Sequence, residues 1–293
     1  MPESPVVTRF APSPTGLLHI GHGYSALAGY EAARASGGRF LVRIEDIDIT
    51  RCRPEFEAAI FEDLAWLGLA WETPVRRQSE HFGDYRAALD RLDRMEVLYP
   101  CFCTRAEIAA EITRSPSAPH GPEGPLYPGT CRALSASERA QRMETGEPYA
   151  LRLDVAAALG RTSKILTWHD RHAGTVIAQT ESLGDVVLAR KDVPTSYHLA
   201  VTVDDHVQGV TLVNRGVDLF QATHIHRLLQ ALLGYEPPDY HHHPLLLDAQ
   251  GKRFAKRNKS VTISTIRASG LSPETFLKEL RASRTTWTAL GPA

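Results

Sequence analysis

The 293-residue sequence predicts an α/β fold built on a parallel sheet, because strand and helix patterns alternate from its N-terminal region onward. Apolar runs at residues 6–10 and Arg39–Ile44 are typical of buried strands. Between them, apolar residues at helical spacing extend over Ile20–Ala35 and stop at Gly37. Pro54 opens a second helix. Strand, helix, strand and helix joined by short connections form the usual pattern of a parallel sheet.

The middle of the chain has a different pattern. Residues 114–130 are rich in Ser, Pro and Gly, which predicts an irregular loop. Short apolar runs at Ala150–Leu153 and 185–188 predict antiparallel strands. We therefore expect residues 98–192 to form an insertion between two halves of the α/β domain.

The α/β pattern resumes after this insertion. We predict a helix at 196–207, a strand at 210–215, a helix at 218–233 and a short strand at 245–247. The predicted organisation is a first half of the α/β domain at 1–97, the insertion at 98–192, a second half at 193–245 and a tail at 246–293.

The composition indicates a soluble globular protein, with 43% hydrophobic and 23% charged residues. No apolar run approaches the roughly 18 residues needed to span a bilayer. The first residues lack the basic and apolar regions of a signal peptide. We therefore expect a cytoplasmic protein without membrane association.

The net charge of −1 is unevenly distributed. Residues 251–293 contain nine Lys or Arg but only Glu274 and Glu279 as acids, a net of +7, which leaves −8 for the first 250 residues. A basic segment on an acidic body indicates either a polyanion-binding surface or a solvated basic face.

The most informative motif occupies residues 9–22, in the loop between the first strand and the first helix. Its sequence is Arg-Phe-Ala-Pro-Ser-Pro-Thr-Gly-Leu-Leu-His-Ile-Gly-His. Parallel sheets bind ligands in such loops. His19 and His22 are three residues apart and project from one side of the helix start. Gly21 leaves room for a ligand because it has no Cβ. Backbone N–H groups and two imidazoles there could stabilise phosphate oxygens during displacement at phosphorus.

An acidic cluster, Glu45-Asp46-Ile47-Asp48, follows Arg43 and Ile44 at the end of the second strand. An acid here could hold a substrate ammonium group, and a nearby Arg could hold a carboxylate through paired N–H bonds. The alternative for Asp46 and Asp48 is a role as solvated turn acids.

Three of the four cysteines, Cys101, Cys103 and Cys131, are close in the sequence. Thiolates suit zinc, and a structural tetrahedral site needs four protein ligands. Tyr127 or His120 would supply the fourth ligand. The alternative is a set of reduced structural thiols. We interpret the run His241-His242-His243 as structural, because neighbouring side chains on a strand point to opposite faces and cannot all bind one ion.

These motifs resemble the class I aminoacyl-tRNA synthetases. His19-Ile20-Gly21-His22 resembles their HIGH signature, and the preceding Arg-Phe-Ala-Pro-Ser-Pro-Thr-Gly is similar to that of the glutamyl/glutaminyl branch. Residues 43–48 resemble that branch's Arg-Ile-Glu-Asp-Thr-Asp segment, with Ile47 where Thr is usual. Residues 197–216 resemble its second substrate segment. Residues 251–257 resemble the KMSKS loop, with Arg253 and Ala255 as departures. The spacing Cys-x-Cys…Tyr-x-x-x-Cys resembles the zinc site of the glutamyl-Q tRNA(Asp) synthetases.

The resemblance implies the fold and the site residues. It implies a Rossmann-type, doubly wound parallel sheet split by a zinc-containing α+β insertion and followed by a short helical tail with the KMSKS-like loop. Catalysis is expected from His19, His22 and Lys256. Glutamate binding is expected from Arg9, Phe10, Ala11, Pro12, Ser13, Glu45, Tyr197 and Arg215. ATP, with Mg²⁺, is expected at His19, Gly21, His22 and Lys256, and one structural Zn²⁺ at Cys101, Cys103, Tyr127 and Cys131.

The resemblance also implies a reaction. We expect ATP-dependent activation of L-glutamate to glutamyl-adenylate without tRNA, then transfer to the queuosine base at the wobble position of tRNA(Asp), by a monomer. Only some 36 residues follow the Lys256 loop, too few for the anticodon-binding regions of full glutamyl- or glutaminyl-tRNA synthetases. The alternatives are a truncated glutamyl-tRNA synthetase charging tRNA(Glu), or a tRNA-binding paralogue weakened by the changes at Arg253 and Ala255.

Overall fold

The computed structural model describes residues 5–114, 120–121, 124–162, 165–246 and 261–282. The strands in these ranges are β1 Val7–Phe10, β2 Arg39–Ile44, β3 Arg76–Arg77, β4 Leu98–Cys101, β5 His120–Gly121, β6 Gly124–Pro125, β7 Ala150–Leu153, β8 Thr167–Asp170, β9 Gly174–Ile177, β10 Val187–Ala189, β11 Leu212–Gly216 and β12 Asp239–His243. The helices are α1 Ile20–Ala35, α2 Pro54–Trp66, α3 Phe82–Arg94, α4 Arg105–Arg114, α5 Ala136–Glu144, α6 Val155–Gly160, α7 Tyr197–Val207, α8 Ala222–Leu233, α9 Ile263–Ala268 and α10 Pro273–Ala282.

Two groups of parallel strands form the α/β part of the fold. In the first, β1 pairs with β2 and β2 with β3, all parallel. In the second, β11 and β12 are parallel, with Leu212 opposite Asp239. The two groups meet where β1 lies beside β11, and there the Thr211 N–H donates to the Val7 carbonyl at 2.9 Å. The predicted α/β class with parallel strands is confirmed.

The segment between the two halves contributes to two sheets. Strands β4, β7 and β10 form an antiparallel sheet, which confirms the antiparallel strands expected from the sequence. The hairpin of β8 and β9 joins the β11–β12 group, because β8 pairs in parallel with β12 at Asp170 and Tyr240. Part of the sequence between residues 98 and 192 therefore extends the sheet of the second half.

One predicted element is wrong. The strand expected at 245–247 is absent at residues 245 and 246, and the strand of this region is β12, Asp239–His243. Its sequence, Asp-Tyr-His-His-His, has no apolar alternation, yet Tyr240, His242 and His243 are buried. Hydrogen bonds and contacts with aromatic rings, such as that of His242 with Trp168, accompany the burial of these histidines, and the sequence pattern does not reveal either.

Helices cover the first group of parallel strands and the antiparallel sheet with apolar side chains. Residues of α1, α2, α9 and α10 form one buried cluster, which includes Ile20, Leu64, Ile263 and Phe276. Residues of α3, α6, α7 and α8 form a second cluster with residues of the antiparallel sheet, such as Leu153 and Leu188. None of the helices in the described ranges is long and apolar enough to cross a membrane.

Gly38 provides a test of the β1–β2 junction. A Cβ at this position would overlap the Val6 carbonyl oxygen, which accepts a hydrogen bond from the Arg39 N–H. We expect Gly38→Ala to lower the free energy of unfolding by about 1–3 kcal/mol, since backbone must move to relieve the overlap. Denaturant unfolding measures this change.

Gly83 is the matched control. It lies in α3, and a Cβ there would meet no neighbouring part of the fold within 4 Å, so Gly83→Ala should stabilise the protein slightly or leave it unchanged. Equal stability of the Gly38→Ala variant and the wild type would contradict the packing described here.

Candidate active site

A cavity of about 480 Å³ lies at the ends of β1, β2 and β11 and the start of α7. All eight residues predicted to bind glutamate line it, namely Arg9, Phe10, Ala11, Pro12, Ser13, Glu45, Tyr197 and Arg215. His19, Gly21 and His22 line the same cavity. Lys256 and the rest of the KMSKS-like segment lie outside the described residues. The fold thus brings residues from both halves of the chain to one site.

Backbone hydrogen bonds position the loop that follows β1. The Glu45 N–H donates to the Pro12 carbonyl at 3.0 Å, and the Arg53 N–H donates to the Pro14 carbonyl at 2.9 Å. The loop is therefore attached to the end of β2, where Glu45 enters the cavity.

His19 and His22 form a stacked pair at the N-terminus of α1. Their ring centroids are 3.7 Å apart, and the His19 N–H donates to Nδ1 of His22 at 3.2 Å. A Cβ at Gly21 would come within 3.0 Å of the His19 ring, so glycine permits this arrangement. The positive end of the helix dipole and the two imidazoles form a site suited to phosphate.

The chain also returns to the cavity after residue 260. Thr262 forms a β-bridge with His19, and the Ile263 N–H donates to the Leu18 carbonyl at 2.9 Å. On the other side of residues 247–260, Leu246 lines the cavity. The described residues that flank the KMSKS-like segment therefore both contact this site.

Two consecutive aspartates on α7 form ion pairs with three arginines of the sheet β1–β2–β3. Asp205 accepts from Nε of Arg9 at 3.0 Å and from Nη1 of Arg43 at 2.8 Å. Asp204 accepts from Nε of Arg76 at 2.8 Å. Burial disfavours the Asp205 carboxylate, but Arg9 and Arg43 outweigh burial and lower its pKa. Asp205 is therefore ionised at neutral pH.

Glu45 lies at the edge of this cluster and faces the cavity. Arg43 donates to it at 3.3 Å, and its side chain is 11% exposed. Burial raises the pKa of Glu45, although Arg43 and Arg9 oppose the shift. A cationic group bound beside Glu45 would favour its ionised form.

Arg215 differs from the other arginines of the cavity. It is only 5% exposed, and within the described ranges no carboxylate lies within ion-pair distance of its guanidinium. It donates to His242 Nε2 at 3.0 Å, to Thr223 Oγ1 at 2.6 Å and to the Tyr197 hydroxyl at 3.2 Å. A buried cation that contacts only neutral groups favours an anionic ligand.

Sequence reasoning missed several residues of this site. Asp204 and Asp205 received no predicted role, and neither did His242 or Asp170, which accepts from His242 at 2.7 Å. The sequence offers one signal for the aspartates, because they interrupt an apolar segment of a predicted helix.

Cys101, Cys103 and Cys131 form a second cluster. Their sulfur atoms all lie within 4.8 Å of one another. The Tyr127 hydroxyl lies 3.4 Å from Sγ of Cys101 and 3.6 Å from Sγ of Cys103. Three thiols and a phenol at these distances could hold one metal ion. The His120 side chain lies outside the described residues.

Cationic side chains surround this cluster. The Arg152 guanidinium lies 3.8 Å from the centroid of the Tyr127 ring, and Arg142 lies 4.2 Å from that of Phe102. Lys191 Nζ donates to the Phe102 carbonyl at 2.7 Å. Burial nevertheless raises the pKa of the Cys103 thiol to about 12 and raises the pKa of the Tyr127 phenol, so a bound metal ion would have to favour their ionised forms.

The fold, with its substrate cavity and its cysteine cluster, is that of a class I tRNA synthetase. The catalytic domain of the class I tRNA synthetases (E and Q) matches residues 5–290, and the chain belongs to this family. Enzymes of this class use ATP with Mg²⁺.

Individual relatives narrow this assignment. The chain is 48% identical over 276 residues to the glutamyl-Q tRNA(Asp) synthetase of Rhodobacter capsulatus, covering 92% of this chain and 97% of that protein. It is 43% identical to the glutamyl-Q tRNA(Asp) synthetase of Symbiobacterium thermophilum, covering 93% and 84%. The crystal structure of a glutamate tRNA ligase from Elizabethkingia meningosepticum, in complex with its amino acid, is similar, with a TM-score of 0.79 and 28% sequence identity. The match covers 94% of this chain and 60% of that chain.

The cysteine cluster can be tested by metal analysis of the purified protein. We expect one bound metal ion per chain, loss of metal in Cys131→Ser and retention in Cys52→Ser, because Cys52 is not part of the cluster. Tyr127→Phe should lower occupancy, whereas His120→Ala should not. Full occupancy in Tyr127→Phe with loss in His120→Ala would instead identify the histidine as the fourth ligand.

Proposed function

We propose that this protein activates L-glutamate with ATP, in the absence of tRNA, and transfers the glutamyl group to queuosine at the wobble position of tRNA(Asp). The observation that carries the proposal is the buried Arg215, which has no direct carboxylate partner in the described ranges and lies in the same cavity as the His19–His22 pair. The names of the relatives with 41–48% identity support the choice of acceptor.

Arg215 is the preferred anchor for a substrate carboxylate. Arg9 also lines the cavity, but Asp205 already accepts two of its N–H groups, at 3.0 and 3.4 Å. Arg215 has a planar fork of donors suited to a carboxylate. An anion bound here would neutralise a cation that the fold buries.

Two other side chains extend this recognition. The Tyr197 hydroxyl accepts from Arg215, so its own proton is available for a substrate oxygen. Glu45 lies on the same cavity and would bind the substrate ammonium group. Glutamate carries the ammonium and carboxylate groups that these residues require.

The nucleotide would lie against the N-terminus of α1. There His19, His22 and the backbone N–H groups could donate to phosphate oxygens. Lys256 would contribute a further positive charge to the triphosphate. Mg²⁺ enters with ATP and offsets phosphate charge.

The reaction would proceed in two displacements. An α-carboxylate oxygen of glutamate attacks the α-phosphorus of ATP, pyrophosphate leaves, and a glutamyl-adenylate anhydride forms. A hydroxyl of queuosine then attacks the carbonyl carbon of the anhydride, loses its proton, and releases AMP. The residues at the cavity would position the reactants and stabilise the developing charge.

The cysteine cluster would hold a structural zinc ion. Cys101, Cys103, Cys131 and Tyr127 provide three sulfur donors and one oxygen donor. A structural zinc ion contributes on the order of 10 kcal/mol to folding in small zinc modules. Here it would fix the Cys-Phe-Cys turn against the antiparallel sheet.

Activation can be measured by glutamate-dependent exchange of pyrophosphate into ATP. We expect the wild type to catalyse exchange without tRNA. In Arg215→Gln, kcat/KM for glutamate should fall roughly 100-fold or more, because the glutamate carboxylate loses its charged partner. Arg86→Gln, a change of an exposed arginine on α3, is the control and should retain activity. Absence of exchange in the wild type would favour a non-catalytic paralogue.

The acceptor can be identified with three tRNAs. We expect transfer of labelled glutamate to tRNA(Asp) that carries queuosine, and none to unmodified tRNA(Asp) or to tRNA(Glu). The bond should form at the anticodon loop, so removal of the 3′-terminal adenosine should not prevent transfer. Transfer to tRNA(Glu) alone would identify a glutamate–tRNA ligase and refute the proposed acceptor.

A further inference from the structure

Behind Arg215, a chain of buried hydrogen bonds leads to Asp170. Nε of Arg215 donates to Nε2 of His242 at 3.0 Å, and Nδ1 of His242 lies 2.7 Å from Oδ2 of Asp170. The side chains of His242 and Asp170 are each 1% exposed. The three residues come from β11, β12 and β8, which are adjacent in one sheet.

The chemistry of arginine fixes the proton positions in this chain. A guanidinium only donates hydrogen bonds, so Nε2 of His242 must be the acceptor. His242 is therefore neutral and carries its proton on Nδ1, from which it donates to Asp170. Burial and Arg215 lower the pKa of His242 to about 4, which agrees with a neutral ring.

We propose that Asp170 and His242 are positioning residues that orient Arg215 for the substrate carboxylate. Asp170 selects the His242 tautomer, and His242 then holds Nε of Arg215. This inference rests on the proposed function, because it assigns Arg215 to glutamate binding.

The arrangement places a negative charge near Arg215 without occupying its ligand-binding side. Arg9 shows the contrast, because Asp205 contacts its guanidinium directly. The imidazole of His242 lies between the Arg215 guanidinium and the Asp170 carboxylate and separates them. The charge of Asp170 can therefore lower the cost of burying Arg215, while the substrate carboxylate remains its direct anionic partner.

Asp170 also has a local structural role that an experiment must separate from positioning. Its Oδ1 accepts from the backbone N–H groups of His172 and Ala173 at 2.8 and 2.9 Å, in the turn between β8 and β9. Loss of activity after a change of Asp170 alone would therefore be ambiguous.

Four variants distinguish the two roles. Oδ2 of Asp170 accepts from the backbone N–H of His242 at 3.1 Å as well as from its ring. In Asp170→Asn the two turn N–H groups hold the amide oxygen, so the amide N–H faces His242 and favours the tautomer with the proton on Nε2, opposed to the Arg215 donor. His242→Asn keeps a donor near Asp170 but loses the acceptor for Arg215. His242→Gln places an amide oxygen near the position of Nε2 and has no tautomers. The double variant Asp170→Asn/His242→Gln therefore restores the acceptor without the Asp170 carboxylate.

We expect Asp170→Asn and His242→Asn to raise the KM for glutamate about tenfold or more in pyrophosphate exchange, with the KM for ATP within about twofold of wild type. His242→Gln should stay near wild type, and the double variant should recover most of the loss caused by Asp170→Asn. A turn-only role for Asp170 predicts no such recovery. Failure of His242→Gln to rescue would overturn the inference.

His224 provides a matched control. Like His242, it is buried and packs against Trp168, at a ring-centroid distance of 5.8 Å compared with 5.7 Å for His242. It does not contact Arg215 in the described structure. We expect His224→Asn to leave the KM for glutamate unchanged, provided that the variant retains its folded circular dichroism spectrum.

Nitrogen NMR of ¹⁵N-histidine-labelled protein tests the hydrogen-bond chain without substrate. We expect the proton of His242 on Nδ1 in the wild type and on Nε2 in Asp170→Asn, with assignment from the His242→Gln spectrum. Wild-type protein that carries the proton on Nε2 would refute the inference. If the NMR result is as expected but glutamate-dependent exchange is absent, the proposed function is refuted and the hydrogen-bond chain is not.

Discussion

The ion cluster around Asp204 and Asp205 is the interaction on which the rest of the site depends. These aspartates lie on α7, in the second half of the chain, and they bind Arg9, Arg43 and Arg76 of the three strands of the first sheet. Arg43 is completely buried, so removal of a carboxylate would leave an uncompensated buried charge. The cluster therefore joins the two halves and fixes the floor of the cavity between them.

The distribution of counter-charges in the cavity supports the proposed binding of an anionic group at Arg215. Arg9 and Arg43 both contact Asp205, and Arg43 also lies near Asp204 and Glu45, whereas Arg215 contacts histidine, threonine and tyrosine side chains. Among the described arginines of the cavity, Arg215 is therefore the one proposed to bind an anionic ligand. Glu45, in contact with Arg43, would provide the complementary negative charge for an ammonium group.

The cysteine cluster lies apart from this cavity and has a different character. Its donors are thiols and a phenol, and its surroundings include Arg142, Arg152 and Lys191. Lys191 follows β10 in the connection that leads to Tyr197, so the segment that contacts the Cys-Phe-Cys turn continues to the substrate cavity. Order in the cysteine cluster can therefore support the start of α7.

The sequence by itself determined the features that depend on local order. The periodicity of Ile20–Ala35 and the apolar run Arg39–Ile44 predicted α1 and β2 with their observed bounds, and the motif at residues 9–22 predicted the loop and helix start that line the cavity. The cluster of Cys101, Cys103 and Cys131 was predicted from the resemblance of the cysteine spacing to a known zinc site, since the separation of 28 residues from Cys103 to Cys131 leaves many arrangements open.

Only the tertiary structure decided which distant charges are paired. The contacts of Arg9 with Asp205 and of His242 with Asp170 span 196 and 72 residues, and no local pattern specifies such partners. The strand β12 was missed for the same reason, since His242 is hydrogen-bonded to Asp170 of β8 and His243 to Ser25 of α1, partners that apolar periodicity does not reveal. Local sequence sets backbone preference and amphipathic faces, whereas the pairing of buried polar groups depends on which strands the fold makes adjacent.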